Sequence, residues 1–526
     1  MRYGKKRQKL LLLLLCICLL GPIMAGYILG RTGRIQLTVP VVSYEKIQDV
    51  TEGMREYDVR PALHFGGHAA AYDSVEDIYY ITQNMDGGSF GGALSSGEGR
   101  LLWPYDEYFT RFEDAISQGH VFSLYCVDSR KNMYCSYRVV FTGMPIMVID
   151  TLDGGEIKGG REGVMRLFDW KFSADSYRES SCYAAIRGNT SIGYPKKGYK
   201  LELDEKMSLL GMRRDEDWIL TALYDDAGLI HTKFAHDVWQ DIAKSNGVKK
   251  DEGTRMEYLE LFSNDVYLGV YGLIERIDAK ELSLTQGDIL YKCIGYEEDR
   301  TDSDWSFGLE EAFDIKYPAQ YGMYEYGLLN EYLDIFNHMT DREDYEKARS
   351  MINMENYVDH NIFTLFAYGC DNYVRKNNFY LACPNNSGEG PAYTFIMIPW
   401  DLNATWGNVQ VVDMTCNNTL YMPEVIEDPD LWCLDVKQLF QCYPDEIAGE
   451  TYARWNNLRK EILTKDRLWG MLDEDFAYLH ASGAYERNYR RWPEGMDYWK
   501  EDYIYEYVEG RLIWLDTYFK EPYLTY

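Results

Sequence analysis

Short runs of alternating apolar and polar residues dominate the first half of the chain, and a period near 3.6 takes over in the second. From Met144 to Asp150 the run is almost wholly apolar and reads as a buried strand. Further strands are expected at Tyr183–Arg187, Tyr199–Leu203, Tyr258–Phe262 and Val266–Ile274, the last two joined by a turn at Ser263–Asp265. Ahead of them, the stretch from 51 to 143 is rich in Gly, with strand-like pieces at Ile78–Thr82 and Val121–Tyr125 and breaks at Gly87, Gly88, Gly91 and Gly92. A helix is expected from Asp226, a good N-cap, through Leu229, Phe234, Ala235, Val238 and Trp239. Another is expected over Glu355–Tyr368. Beyond residue 420 the pattern is mainly helical, closing on an amphipathic stretch from Tyr503 to Phe519. A β-rich half followed by a helical half predicts an α+β architecture, with a ligand site between the two.

The N-terminus follows a different pattern. Arg2, Lys5, Lys6, Arg7 and Lys9 form a basic flank, and Leu10–Gly30 carries no charge. Its 21 residues, at about 1.5 Å each, match a bilayer core of roughly 30 Å. With positive charge held inside, this predicts a single-pass signal-anchor and an extracytoplasmic location for the bulk of the chain. A cleaved signal peptide ending near Ala25 and Gly26, with secretion, is the alternative. The expected organisation is therefore an anchor at 1–30, a tether at 31–50, a small β-rich or mixed domain of unknown role at 51–143, and a main domain at 144–526.

Composition narrows the function. The net charge of -30 argues against nucleic acid as a partner, because phosphate contacts need Lys and Arg. Eleven cysteines, two of them in the apolar run, leave an odd number outside it, which is no clean disulfide framework. Cys126 and Cys135 flank an expected hairpin turn at Asp128–Asn132 and are placed to pair across it. No cysteine or histidine spacing points to zinc.

The run from Gly369 to Leu381 (GCDNYVRKNNFYL) and the later Ile398-Pro-Trp-Asp-Leu-Asn403 carry the chemistry. An acid, Asp371, precedes a Lys376-Asn377-Asn378 cluster. A strand, a turn and a second strand follow, ending on a second acid, Asp401. Metal-dependent phosphoryl transfer needs these parts in this order: one carboxylate to orient the attacking hydroxyl, and an Asn and a second carboxylate to hold Mg²⁺. A turn or N-cap role is the structural alternative for either acid. A second constellation, from Arg187 to Leu203, runs from a strand into a turn with Gly188, Asn189, Thr190, Ser191 and Gly193, then onto Lys196, Lys197 and Lys200. Glycines allow close backbone approach to an anion, and a lysine there neutralises phosphate charge. An ordinary hairpin with a solvated basic turn is the other reading. Glu275 and Arg276 end the Val266 hairpin, as a lobe connection with adenine contacts or as a surface ion pair.

Taken together, these stretches resemble the spore coat protein H (CotH) kinase family, an atypical branch of the protein-kinase-like fold. The matching segments are Met144–Ile149, Arg187–Ser191 with Pro195–Lys200, Asp217–Leu220 with Tyr224–Asp226, Leu268–Arg276, Asp371–Leu381, Pro399–Asp401 and Arg511–Asp516, covering about 144 to 520. The resemblance implies a two-lobed domain using ATP and Mg²⁺, with a protein Ser/Thr hydroxyl as acceptor. It casts Asp371 as the catalytic acid and Asp401 as the metal-binding acid. Asn378, with Asn377 as alternative, is the metal-side amide. One of Lys196, Lys197 and Lys200, preferably Lys200, contacts phosphate. The family pattern Trp-Asp-x-Asp is broken here by Asn403, which offers an oxygen without charge and should weaken Mg²⁺ binding. Two rival functions follow. One is a non-catalytic surface or envelope binding module with a degraded site, which an outside location poor in ATP would favour. The other is an envelope transferase using another activated donor.

Overall fold

The computed structural model describes residues 39–520, apart from 84–93, 105–111, 170–176, 189, 249–252, 295–311, 370, 373–377, 385–393, 411–418, 422–425, 428–433 and 494–498. The architecture is mixed α/β, with several sheets, and corrects the expected order of a β lobe followed by a helical lobe. Its centre is a closed barrel of seven strands: Ile146–Thr151, Arg161–Phe168, Tyr177–Arg187, Gly198–Ser208, Arg214–Thr221, Val266–Glu275 and Met256–Ser263. The first and last of these pair in parallel, Ile146 opposite Glu260 and Val148 opposite Phe262, and this closes the ring. That closure joins segments more than a hundred residues apart, so no local pattern announces it.

Alternation along each strand divides the barrel's side chains between three cores. Met147, Ile149, Met165, Leu167, Tyr199, Leu201, Trp218, Leu220, Leu259, Leu261 and Leu273 fill the interior. On one outer flank Ile146, Val148, Phe168, Phe262 and Tyr267 pack against a seven-stranded sheet built from residues 41–142. On another, Ile219, Met256, Tyr258, Val270 and Ile274 enter the large core of the helical region. The stretch read as a tether carries the strand Val41–Val42 and most of the helix Tyr44–Thr51, whose N-cap Ser43 accepts from the Lys46 amide.

The second half is not purely helical. A four-stranded antiparallel sheet, in the order Phe313–Tyr317, Ile289–Cys293, Phe379–Cys383, Ile396–Pro399, lies among the helices. All five residues of Phe379–Cys383 are buried, as a central strand requires. The predicted helix at Asp226 begins later, at His231, and runs to Lys244. Asp226 still serves its start: its carboxylate accepts from the amides of Ile230 at 3.1 Å and Thr232 at 3.2 Å.

The membrane anchor is also corrected. Among the described residues no helix is long and apolar enough to cross a membrane, so neither an anchor nor a single-pass placement is supported. Leu10–Gly30, on which that expectation rested, lies outside the described residues.

Candidate functional site

The site grows out of one buried helix, Met354–Ala367, and the hairpin that follows it. At the N-terminal end, Asn356 clamps the helix to the last strand of the hairpin. Its amide nitrogen donates to the Met397 carbonyl at 3.0 Å and its oxygen accepts from the Met397 amide at 2.7 Å. At the C-terminal end, where four carbonyls would otherwise lack partners, other elements supply donors. Arg511 donates to Leu365 O at 2.7 Å, the Tyr507 hydroxyl to Phe366 O at 3.0 Å, and the Trp406 amide to Ala367 O at 2.6 Å. Tyr368 then turns the chain in the left-handed region, φ 52°, and Asp371 follows.

The hairpin register sets Phe379 opposite Pro399 and Tyr380 opposite Ile398, which brings the residues just outside it, Asn378 and Trp400, together. The Trp400 amide donates to Asn378 O at 2.9 Å. Asn372, fully buried, ties both to the first acid's turn: its amide nitrogen donates to Asn378 O at 3.0 Å and to Trp400 O. The Asn378 side chain donates to the Asp371 carboxylate. Asn378 and Asp401 both take left-handed backbone, φ 63° and 62°, a region that Asn and Asp enter more readily than most side chains. Asp371, Asn378 and Asp401 thus stand in one small constellation, with Asp401 exposed. Asn377 lies outside the described residues, as do Lys376 and Asn189.

Asn403 faces another acid. Its amide nitrogen donates to the Asp225 carboxylate at 2.7 Å, and Asn408 donates to the carbonyls of Asp225 at 3.3 Å and Asn403 at 3.1 Å. Burial, and next the charge of Asp401, push the Asp225 carboxyl up to about 6. Asp225 and Asp401 are therefore close enough to feel each other's charge. The oxygen donors these residues could offer a cation are the carboxylates of Asp401 and Asp225, which feel each other's charge, and the amide oxygen of Asn378, whose nitrogen is engaged with Asp371. These are hard oxygen ligands and suit Mg²⁺. A second acidic group, Asp215, Glu216 and Asp217, is close-set as well. There the Lys280 ammonium lies at 2.8, 3.0 and 2.6 Å from the three carboxylates, so the cluster is an ion-pair network.

The basic turn is placed differently from its sequence reading. Gly188 has φ 119°, and a Cβ there would collide with the Ser191 hydroxyl, so a glycine is required. Lys196 is buried, donates to Val270 O at 2.5 Å and Asn488 Oδ1 at 2.9 Å, and has its pKa driven well down by burial. Lys197 donates to the carbonyls of Ile192 and Tyr194, closing its own turn. Lys200 pairs with Glu202 at 3.0 Å on the barrel's outer face. Glu275 is buried and its carboxylate accepts from the amides of Arg213 and Arg255, both at 2.9 Å. Among the described residues of this group, Arg187 is the one placed beside Trp400, its guanidinium 5.8 Å from that ring's centre.

Three residues here escaped the sequence reading. Asn372 adjoins Asp371, and Asp225 stands inside the Tyr224–Asp226 segment, so each was in view without a partner to give it meaning. Lys292 is the one charge in the strand Ile289–Cys293, and a lone cation in an apolar run is a signal that was available.

A family model described as CotH kinase protein matches residues 184–515, from the strand that ends at Arg187 into the last helix. No curated protein matches the chain.

Proposed function

The chain belongs to the CotH kinase family, and from that membership and the Asp371–Asn378–Asp401 constellation we propose an ATP- and Mg²⁺-dependent phosphotransferase acting on a protein Ser/Thr hydroxyl. The observation that carries the reading is the tie made by Asn372, which holds the turn of Asp371 to both Asn378 and Trp400. Two acids of different duty are thereby kept on one site. Asp371 orients the acceptor hydroxyl and takes its proton as the new bond forms. Asn378 restrains the Asp371 carboxylate through its amide nitrogen. Asp401 and the oxygen of Asn378 would hold Mg²⁺, with Asp225 adding a second negative charge nearby. The bound ion would neutralise charge on the transferring phosphoryl group. The hairpin and the buried helix behind it fix the acids before any ligand arrives, which lowers the cost of aligning the reactants.

The test is incorporation of label from γ-labelled ATP by the purified protein, into itself or into a Ser/Thr-rich acceptor, with Asp371→Asn as control. Label in the wild type and its loss in the variant supports the reading. Nucleotide binding with no transfer to any acceptor would replace it with the binding-module alternative. Transfer of a group other than phosphoryl, identified by mass, would point to the alternative donor.

A further inference from the structure

A nucleotide site needs cations for its phosphates, and the three lysines of the basic turn are engaged elsewhere. Two other cations stand near Asp401. Arg187 ends the barrel strand Tyr177–Arg187, its guanidinium 5.8 Å from the Trp400 ring centre. Lys292 lies in the strand Ile289–Cys293, in register with Tyr380, its ammonium 5.8 Å from that ring. Tyr380 and Trp400 meet edge to face, 5.8 Å apart at 90°. The two rings are 5% and 4% exposed, so they form a buried aromatic support running from one cation to the other.

Among the described residues neither Lys292 nor Arg187 makes a hydrogen bond or an ion pair, in a protein where most cations do. The two are also close enough to repel: Lys292 feels the positive charge of Arg187 as well as the negative charge of Asp401, and burial draws its pKa down. Half-buried like charges gathered over aromatic rings, without bonded counter-ions, cost free energy until an anion completes the group. Asp314, opposite Lys292 in the sheet, and Lys316 also act on Lys292, but these two pair with each other at 2.5 Å. That leaves Asp401 as one charge against two, and it belongs to the metal side of the site.

We propose that Lys292 and Arg187 form the phosphate subsite, and that Lys292 rather than Lys200 is the lysine that contacts the phosphoanhydride chain of a nucleoside di- or triphosphate. Lys292 supplies a point charge and Arg187 a planar fork able to grip two oxygens of one phosphate. This inference rests on the nucleotide reading above for the identity of the ligand, while the anion subsite itself is defined by the two cations.

The experiment measures binding of ADP, adenosine and inorganic pyrophosphate to the full chain by calorimetry with EDTA present. Lys292→Met and Arg187→Met should each weaken ADP by about ten- to a hundredfold, the range for loss of one charge-assisted bond. Adenosine affinity should not change, and Lys200→Met should leave ADP binding within twofold. Removing one of two facing cations relieves repulsion, so the melting temperature should hold or rise. If Lys292→Met fails to fold, Lys292→Arg and Lys292→Gln decide, since retained charge should retain ADP. Tight ADP binding by the wild type with Lys292→Met within twofold of it would overturn the inference. If the wild type ignores ADP but binds pyrophosphate, and Lys292→Met abolishes that, the nucleotide reading fails and the anion subsite stands. Failure of the wild type to bind either ligand overturns both.

Discussion

Replacing Asn372 should damage the protein in a way that distinguishes its amide nitrogen from its shape. The side chain is fully buried and donates to two carbonyls, Asn378 O at 3.0 Å and Trp400 O. Asn372→Ala removes both bonds, at about 1 kcal/mol each, and leaves a small void, for a total of about 2–3 kcal/mol of unfolding free energy. Asn372→Asp keeps the shape but sets a carboxylate against two carbonyl oxygens. At neutral pH this should cost more than the alanine, because a buried charge then faces only acceptors. The folded pKa of that new carboxyl must rise above its unfolded value of about 3.9, since only the protonated acid donates. Its penalty is therefore smallest below about pH 4 and grows as pH rises through the unfolded pKa. Urea unfolding of wild type and both variants near pH 4 and near pH 7 measures this. An Asn372→Asp variant as stable as wild type near pH 7, or an alanine cost below about 0.5 kcal/mol, well under the two lost bonds, would show that the amide is not a tie. Since misplacing a reacting group by about 1 Å costs about 10²-fold, transfer should fall on that scale in either variant.

The other predictions concern the acids, the barrel and pH. Asp371→Asn should lower transfer by about 10²-fold or more with nucleotide affinity little changed, as for a group acting in the transition state, while Asp401→Asn should remove the Mg²⁺-dependent part of nucleotide affinity; equal effects on both measurements would refute the division of roles. Asn403→Asp would set a carboxylate where an amide now donates to Asp225 at 2.7 Å, so it should lower the melting temperature without Mg²⁺ and regain it with Mg²⁺; an unchanged melting temperature in both conditions would mean position 403 does not face the metal acids. The buried Arg487–Glu260 pair, at 2.8 Å, joins the helix Ala484–Arg491 to the barrel, so Glu260→Gln should cost about 3–5 kcal/mol, and a Glu260→Gln/Arg487→Met double variant less than the sum of the singles, by urea unfolding. Hydrogen bonding to Glu486, then to Glu501, raises the His480 pKa from 6.5 to about 9. Its stabilising contribution is therefore full below the unfolded pKa near 6.5 and lost as pH rises through about 9. A melting-temperature gap between wild type and His480→Gln that persists at about pH 10, above that folded value, would contradict this.

How far the sequence leads depends on whether the deciding contact is local. The strands Ile78–Thr82 and Val266–Glu275, and the helices Met354–Ala367 and Asp502–Tyr518, agree with their periodicity to within a residue or two, because burial of one face is written in neighbouring side chains. Barrel closure between Ile146 and Glu260 is written nowhere locally. The same holds for the four-stranded sheet: Ile289–Cys293 must find Phe379–Cys383, ninety residues on, before it reads as part of a sheet. At the site, the order of Asp371, the Asn377–Asn378 pair and Asp401 along the chain marked them as candidates, the resemblance preferred Asn378, and the hairpin is what sets Asn378 against Asp371. Of the two cations proposed for the phosphates, Arg187 was in view at the head of the basic constellation and Lys292 was not. Lys196, Lys197 and Lys200 cluster in sequence, yet each finds a local or buried acceptor, whereas Lys292 reaches Tyr380 only through pairing in the four-stranded sheet and Arg187 reaches Trp400 only where the end of a barrel strand approaches the hairpin. The expected anchor failed for another reason. It rested on the basic flank and apolar run of residues that lie outside the described ones, and no described helix has the length and apolar character to support it.

The pair Asp225 and Asp226 shows how the barrel and the acids of the hairpin depend on each other. Both lie where the chain leaves the barrel strand Arg214–Thr221 for the helix His231–Lys244. Asp226 turns inward, fully buried, and spends its carboxylate on the amides of Ile230 and Thr232 and on His231 Nδ1 at 2.7 Å. That anchors the helix start, whose apolar face carries Phe234, Val238 and Trp239 into the core shared with Ile362, Phe363 and Phe366. Asp225 turns the other way and is caught by Asn403, 178 residues further on. One residue thus fixes the helix that packs against the site's own helix, while its neighbour brings a negative charge to Asp401. A change that loosens Asp226 would therefore reach Asp225, and through its charge Asp401, by one peptide unit, without touching Asp371 or the hairpin. Asp226→Asn keeps the shape but weakens the bonds to the helix amides, and by this route it should reduce Mg²⁺-dependent nucleotide affinity along with stability, whereas Asp225→Asn should reduce the affinity with little loss of stability.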